Sequence, residues 1–424
     1  MQNSSVILMS LSIALLAGLL LSRIVKKLQL PAVTAYLIAG VLIGPFLLGS
    51  LNVPGLGINH EQLVGFGIIC DLALGFIAFS MGNEFRLSHL KKIGKQATVI
   101  GIFQAVFTCL LVDAFLIGLH FLMPDKLPLS AAIVLGAVAT ATAPAATLMV
   151  VRQYKAKGPL TDILLPVVAL DDAVGLMVFA ISFGIAKSLN VGSVDVLSVV
   201  VEPLLEVVFS LGLGLLMGYL FTLTEKFFHS RSKRMAVTVT FVMMTVAIAN
   251  MKFEVFGLHV AFSSLLACMM LGTIFCNICD FSTELMDRAD RWVTPILILF
   301  FVISGAELDL SVFGDIAIVV IGLVYILSRS LGKYFGAGIS AKVTKCDKNI
   351  VKYLGTTLLP QAGVALGMAI KATELGPQGN VVRNITLFAV LVYELVGPFL
   401  TKVCLTKAGD IKPEGKTSAR VVQE

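Results

Sequence analysis

Asp171 and Asp172 are adjacent carboxylates inside one long apolar stretch, and Lys333 is an ammonium inside another. Two acids side by side in a medium of low dielectric cannot both ionise cheaply, and a nearby ammonium relieves one of them by pairing with it. The other is left to hold either a proton or a hard monovalent cation, but not both. Competition of two cations for one carboxylate is the chemistry of exchange. A charged side chain at the centre of a bilayer costs roughly 2.5–3.5 kcal/mol on insertion scales, so these three groups must face one another or water. The competing reading is a salt-bridged triad that only stabilises a bundle, and it is the weaker one because buried ion pairs seldom give net stability.

The surrounding chain fits a membrane setting. It has 424 residues, 57% of them hydrophobic and 14% charged, with a mean hydropathy of +0.95. Soluble domains carry about 25% charged residues, so a soluble protein is excluded. Apolar runs punctuated by Pro, Gly and charge predict thirteen spans, at 5–25, 31–49, 62–83, 95–122, 128–151, 159–186, 199–224, 235–251, 256–278, 293–311, 314–341, 350–371 and 384–405. The predicted class is an all-α polytopic membrane protein, with a transmembrane domain over 1–408 and a short, polar, basic tail over 409–424. With the N-terminus outside, 25 Lys and Arg fall on the cytoplasmic side, five on the other and two within a span. That asymmetry gives an N-out, C-in orientation in a plasma (inner) membrane, and it explains the net charge of +6 without nucleic acid. The opening apolar stretch lacks a basic lead-in and a small-residue cleavage site, so it reads as a first span and not as a removed leader. The seven cysteines are scattered, mostly in apolar runs, and predict no disulfide framework; Cys276 and Cys279 form a C-x-x-C without further ligands, a poor zinc site.

Thirteen spans divide as six, a linker and six, which makes the halves inverted repeats. Interrupted helices at equivalent places in such halves point to a transporter's binding site. The fifth and twelfth spans are the interrupted ones, with Gly136 to Pro144 in the first and Thr356, Thr357, Pro360, Gln361 and Gly363 in the second. Freed backbone groups there can face an ion. Asp171 and Asp172 lie twelve and thirteen residues into the sixth span, about 18–20 Å from the cytoplasmic end, and Lys333 lies about 14 Å from it in the eleventh. The depths coincide.

Four motifs carry a family resemblance: Leu30 to Pro45, the Ala139 to Pro144 break, the Ala169 to Ala173 segment with its Asp pair, and Arg329 to Lys333 with Gly336. In this order they resemble the monovalent cation/proton antiporters of the NhaA and NapA type, within the sodium/hydrogen exchanger superfamily, over nearly the whole chain. The resemblance implies that Asp172 binds the transported ion (Na+, or Li+ or K+) and the proton, that Asp171 partners Lys333, and that Thr140 and Thr142 belong to the broken-helix site. It further implies a homodimer with elevator-type alternating access. The moving core would be 95–186 and 314–405, against a dimerisation scaffold of 5–83 and 199–311. The Asp-Asp pair resembles the electrogenic class, in which more protons than cations cross; electroneutral relatives carry Asn first. The twelfth span departs from the family, with Gln361 and Ala362 after Pro360 where relatives often carry Arg and Glu.

Supporting candidates are Gln361, Arg329, Glu394, Asp71 and Glu307. Arg329 and Glu394 are expected to pair as a structural bridge, Asp71 to act as a hydrogen-bonded acid or a helper on the ion path, and Glu307 with Asp309 to form a cation-attracting funnel. Glu202 and Glu206 read as interfacial, and His60, His89, His120, His229 and His259 as solvated residues near span ends. No resident cofactor is expected, and the partners are the two ions, membrane lipid and a second copy of the chain. An organic solute symporter coupled to sodium is the alternative. An intramembrane aspartyl protease is disfavoured because residues i and i+1 point about 100° apart on one helix and cannot share a water. A channel leaves the mid-membrane carboxylates and lysine unexplained.

Overall fold

In hydrocarbon a backbone must satisfy its own polar groups, and a sequence this apolar does so as helices. The computed structural model describes residues 4–27, 31–51, 57–191, 202–251, 253–255, 258–260, 262–307 and 314–412. The described residues form fifteen α-helices. They are α1 (Ser4–Lys27), α2 (Ala32–Ile43), α3 (His60–Met81), α4 (Leu87–Leu122), α5 (Leu129–Val138), α6 (Pro144–Gln153), α7 (Pro159–Val191) and α8 (Glu202–Glu225). The remainder are α9 (Arg231–Ala249), α10 (Ser264–Ile278), α11 (Ser282–Ala306), α12 (Ile316–Val343), α13 (Lys348–Thr357), α14 (Gly363–Ala372) and α15 (Pro377–Ala408). Each apolar segment of the sequence contains a helix, and the fifth and twelfth each contain two. Among the described residues, ten helical segments are long and apolar enough to cross a bilayer.

Several boundaries differ from the sequence expectation, among them the starts of α4 at Leu87 instead of 95 and of α15 at Pro377 instead of 384, and two others have a visible cause. The ninth segment was expected to be helical from 256, but β1 (Phe253–Val255) pairs antiparallel with β2 (Leu258–Val260), and the helix starts only at Ser264. Ser263 fixes that start by accepting a hydrogen bond from Leu266 N on its side chain. The tenth segment was expected from 293, yet α11 begins eleven residues earlier at Ser282. Its first turns are too charged to read as apolar, but Leu285, Met286 and Ala289 are buried on one face, and Arg288 pairs with Glu284 one turn back on another.

Chain contacts divide the molecule into two compact units, and the division interleaves along the sequence. The first unit comprises Met1–Leu21, Tyr36–Gly94 and Val194–Leu308. Its helices approach closely through glycine: a Cβ on Gly40 of α2 would lie 2.0 Å from Val302 O of α11, and one on Gly305 of α11 would lie 2.2 Å from Leu37 O. Small residues permit backbone contact where apolar burial alone gives little drive in lipid. The second unit comprises Ser22–Ala35, Lys95–Ser193 and Asp309–Glu424. There α5 packs on α7, and α12, α13 and α15 pack on one another. All the mid-membrane charges singled out above except Asp71 and Glu307 belong to this unit.

Candidate functional site

Two helix breaks meet inside the second unit. Pro144 opens α6, where its missing N–H costs nothing and its fixed φ suits a first helical position. Residues 139–143 therefore run free between α5 and α6, and residues 358–362, around Pro360, do so between α13 and α14. Ala143 N donates to Pro360 O at 2.8 Å, joining the two breaks. Gly355 and Gly397 admit the neighbouring chains: a Cβ on the first would lie 2.5 Å from Lys333 O, and one on the second 3.0 Å from Pro360 Cα.

Carbonyls freed at the breaks need donors, and α12 supplies two cations for them. Arg329, fully buried, donates through Nε to Ala139 O at 2.9 Å, through one terminal nitrogen to Leu359 O at 2.8 Å and through the other to Ala141 O at 2.6 Å. Its guanidinium also stands 4.5 Å over the Tyr393 ring. One turn along, Lys333 donates to Thr140 O at 2.6 Å. Positive groups there also suit the negative ends of α5 and α13. Gln361 completes the crossing by donating to Val138 O at 3.0 Å and to the Tyr325 hydroxyl at 2.8 Å; its own Oε1 is buried without a hydrogen-bond partner.

The two aspartates of α7 meet very different surroundings. Asp171 Oδ2 accepts from Lys333 Nζ at 2.9 Å and from the Thr142 hydroxyl at 2.6 Å, while Gln104 of α4 donates its amide to Oδ1. Lys333 also donates to Thr142 Oγ1 at 3.0 Å. Asp172 is 2% exposed, and neither of its carboxylate oxygens has a hydrogen-bond partner. Such an acid is costly to keep charged where it is, so a bound proton or cation would relieve it. The structure thus brings Asp171, Lys333, Thr140 and Thr142 into one bonded cluster, with Asp172 next to it on the same helix. Thr140 joins through its carbonyl rather than its hydroxyl, which turns back to Ala137 O at 2.7 Å.

The supporting candidates divide. Arg329 and Gln361 stand at the crossing. The expected pairing of Arg329 with Glu394 meets a guanidinium whose three nitrogens all go to backbone carbonyls, and Glu394 is buried on α15. Asp71 and Glu307 lie in the first unit, where Asp71 Oδ2 accepts from Asn250 Nδ2 at 3.1 Å and Glu307 ends α11. Asp309 and most of the 409–424 tail lie outside the described residues, as do the side chains of Glu202, His60, His89 and His259. His120 meets Leu127 O at 2.7 Å near the end of α4. Cys276 Sγ donates to Thr273 O at 3.2 Å and to Gly82 O at 3.6 Å, as a structural thiol does.

Gln104 and Asp113, both on α4, were not anticipated from sequence. Asp113 Oδ1 is buried without a hydrogen-bond partner against α5, where a Cβ on Gly136 would overlap it. The signal was present as an amide and an acid in the predominantly apolar middle of the 95–122 run.

The chain is 23% identical to the Na(+)/H(+) antiporter NhaS4 of Synechocystis over 94% of its own length and 96% of that protein's. It is 24% identical to a Na(+)/H(+) antiporter of Enterococcus hirae, covering 92% of this chain and 96% of the other. Among solved structures, the sodium proton antiporter MjNhaP1 of Methanocaldococcus jannaschii superposes with a TM-score of 0.69 at 17% identity, covering 94% of this chain and 97% of that one. The likeness extends to the fold. Residues 11–407 match the model of the transmembrane sodium/hydrogen exchanger family, a family of transporters and not of enzymes, and the chain belongs to that family.

Proposed function

We propose that this protein is a secondary antiporter that exchanges Na+ for H+ and that Asp172 takes the two ions in turn. The observation that carries the reading is the contrast along α7: Asp171 has three donors, whereas Asp172, also buried, has none for either oxygen. An acid already matched to an ammonium has little reason to bind a cation. One without a donor must bind a proton or a cation to be neutral, and binding one excludes the other. The names of the curated relatives support Na+ as the cation, with Li+ or K+ as the other monovalent candidates.

Lys333 supports an electrogenic cycle. A cation entering beside Asp172 competes with Lys333 for the same local field, and a displaced ammonium can release a second proton. An Asn in place of Asp171 would leave Lys333 without that partner. In the same reading the helices over 95–186 and 314–405 carry the ion as an elevator, and those over 5–83 and 199–311 form the dimerisation scaffold of a homodimer. The 25-to-five asymmetry of Lys and Arg supports an inner-membrane protein with its N-terminus outside. The solute-symporter alternative has no observation in its favour.

The test is Asp172→Asn in everted vesicles. Addition of Na+ should no longer dequench a dye that reports the pH gradient, although the protein is present at normal amounts. Normal dequenching by that variant refutes the reading.

A further inference from the structure

The motif of Arg329 to Lys333 with Gly336 carries two glycines that the exchange chemistry does not use, Gly332 and Gly336. They follow at i and i+4 on one face of α12, and both stand against α4. A Cβ on Gly332 would lie 2.9 Å from Thr108 Cα, and one on Gly336 would lie 3.0 Å from Gln104 Cα. On the other side of α4, a Cβ on Gly101 would lie 3.4 Å from Leu170 Cβ of α7. Small residues thus set α4 between the helix of Lys333 and the helix of the two aspartates. Thr108 turns its hydroxyl back to Gln104 O at 2.6 Å, whereas the fully buried Gln104 side chain reaches into the cluster.

The amide nitrogen of Gln104 donates to Asp171 Oδ1 and to Gly101 O, the latter at 3.1 Å, so both of its hydrogens are used. Its own Oε1 is buried without a hydrogen-bond partner. An unsatisfied buried oxygen is a cost that a methionine of similar length would avoid. Helix packing therefore does not account for an amide here, and what the amide gains is the bond to the carboxylate. The donors divide between the two oxygens of Asp171. Lys333 and Thr142 serve Oδ2, at 2.9 Å and 2.6 Å, and among the described residues Gln104 serves Oδ1. When Lys333 leaves, Oδ2 loses its cation and Oδ1 keeps its donor.

We propose that Gln104 is a positioning residue of the exchange cycle: it fixes the Asp171 carboxylate through Oδ1 and keeps it ionised while Lys333 moves off Oδ2 and returns. The role rests on the antiport reading above and adds what holds the matched acid while its ammonium is away. A donor to the ionised form of an acid favours that form, so without Gln104 a proton takes the place that Lys333 vacates. The charged groups about this cluster are Asp172 on the same helix and Lys333 and Arg329 on α12. Among the described residues, α4 and the 139–143 segment present neutral donors to Asp171, Gln104 and Thr142. Replacing Gln104 by an apolar side chain therefore removes a hydrogen bond and leaves every charge in place.

The experiment follows Na+-dependent proton movement in proteoliposomes across a pH series for wild type, Gln104→Met and Gln104→Glu. Gln104→Met should keep the maximal rate within about twofold but reach it about one pH unit higher, the size of one hydrogen bond to a charged group. Gln104→Glu should recover most of that shift, because two acids at one site share a proton and the neutral one can donate as the amide does. The Na+-induced rise in melting temperature of the purified protein, followed over the same pH series, should move in the same way without depending on turnover. A Gln104→Met profile that coincides with that of wild type, with its rate kept or lowered at every pH, would make the amide a packing group and overturn the proposal. A shift in Gln104→Glu as large as in Gln104→Met would overturn it too, since the donor would not be what matters. So would an unmoved profile with a raised KM for Na+, which would make Gln104 a ligand of the cation. Wild type without Na+-dependent proton movement would overturn the antiport reading and this role together, whereas exchange by wild type beside an unmoved Gln104→Met profile overturns this role alone.

Discussion

Lys333 Nζ lies 2.9 Å from Asp171 Oδ2, and both side chains are fully buried. The pair joins α12 to α7, and Thr142 and Gln104 add donors to the same carboxylate. Because consecutive residues on a helix point about 100° apart, donors collected around Asp171 do not serve Asp172. One helix thus presents a matched acid and an unmatched one in successive positions.

Removing one member of the matched pair should be severe. Lys333→Gln or Asp171→Asn leaves a buried charge without its partner, and each is expected to cost about 3–5 kcal/mol. The double variant Asp171→Asn/Lys333→Gln should lose much less than the two single losses added together. Thermal unfolding of the four proteins in one detergent measures this, and strict additivity would show that the pair is not coupled.

Asp172→Asn should behave in the opposite way. Neither oxygen accepts a hydrogen bond, so replacing the acid by a near-isosteric amide breaks no bond and removes a buried charge. Its melting temperature is expected to equal or exceed that of wild type. Na+ should raise the melting temperature of wild type, because a cation that binds only the folded state stabilises it by mass action, and should leave the variant unchanged. A Na+ shift of the same size in both proteins would place the cation elsewhere.

Arg329 should prove structural. It satisfies Ala139 O, Ala141 O and Leu359 O, one carbonyl set from each helix break. Arg329→Lys keeps the charge but presents a point ammonium where a planar fork spans three acceptors, so two of the bonds should be lost. At about 1.5–3 kcal/mol per charged hydrogen bond, the expected destabilisation is about 3–6 kcal/mol. Unchanged thermal stability of Arg329→Lys would show that water replaces the guanidinium at the breaks.

How much of this was written in the sequence depends on the kind of signal. Asp171, Asp172 and Lys333 were legible because ionisable groups in apolar runs are rare and their depths coincide. The breaks were legible through Pro144 and Pro360. What Arg329 holds was not, since backbone carbonyls have no sequence signature, and a carboxylate such as Glu394 is the only partner a sequence can offer. Gln104 was missed because an isolated amide inside an apolar stretch of a helix has no periodicity that marks its direction. The start of α11 was missed because hydropathy registers the charges at Glu284, Asp287, Arg288 and Asp290 and not the buried face formed by Leu285, Met286 and Ala289.

The foot of α7 offers a further test. Asp410, past the end of α15, accepts from Thr161 N at 2.6 Å and from Thr161 Oγ1 at 2.7 Å, so a residue remote in sequence caps the helix that carries the two aspartates. Gly158 makes room, since a Cβ there would lie 2.2 Å from Asp410 Oδ1. Asp410→Ala should cost about 1–2 kcal/mol, in the range of a lost N-cap, and should speed hydrogen exchange in the first turns of α7. Exchange rates there that match wild type would show that the cap is not what holds the helix start.

Voltage provides the last prediction. If Lys333 releases a proton when a cation enters beside Asp172, more charge crosses in one direction than in the other, and a membrane potential must drive exchange even without a pH gradient. In proteoliposomes a potassium diffusion potential set by valinomycin should accelerate Na+-dependent proton movement by wild type. Lys333→Gln should reduce that voltage dependence more than it reduces exchange driven by a pH gradient. The paired double variant Asp171→Asn/Lys333→Gln separates this effect from misfolding, because it removes both charges and keeps the volume. If it exchanges with wild-type voltage dependence, the second proton does not travel on the Asp171–Lys333 pair. If wild type itself ignores voltage, one proton is exchanged for each cation and the ammonium is a fixed strut for Asp171 and the carbonyl of Thr140.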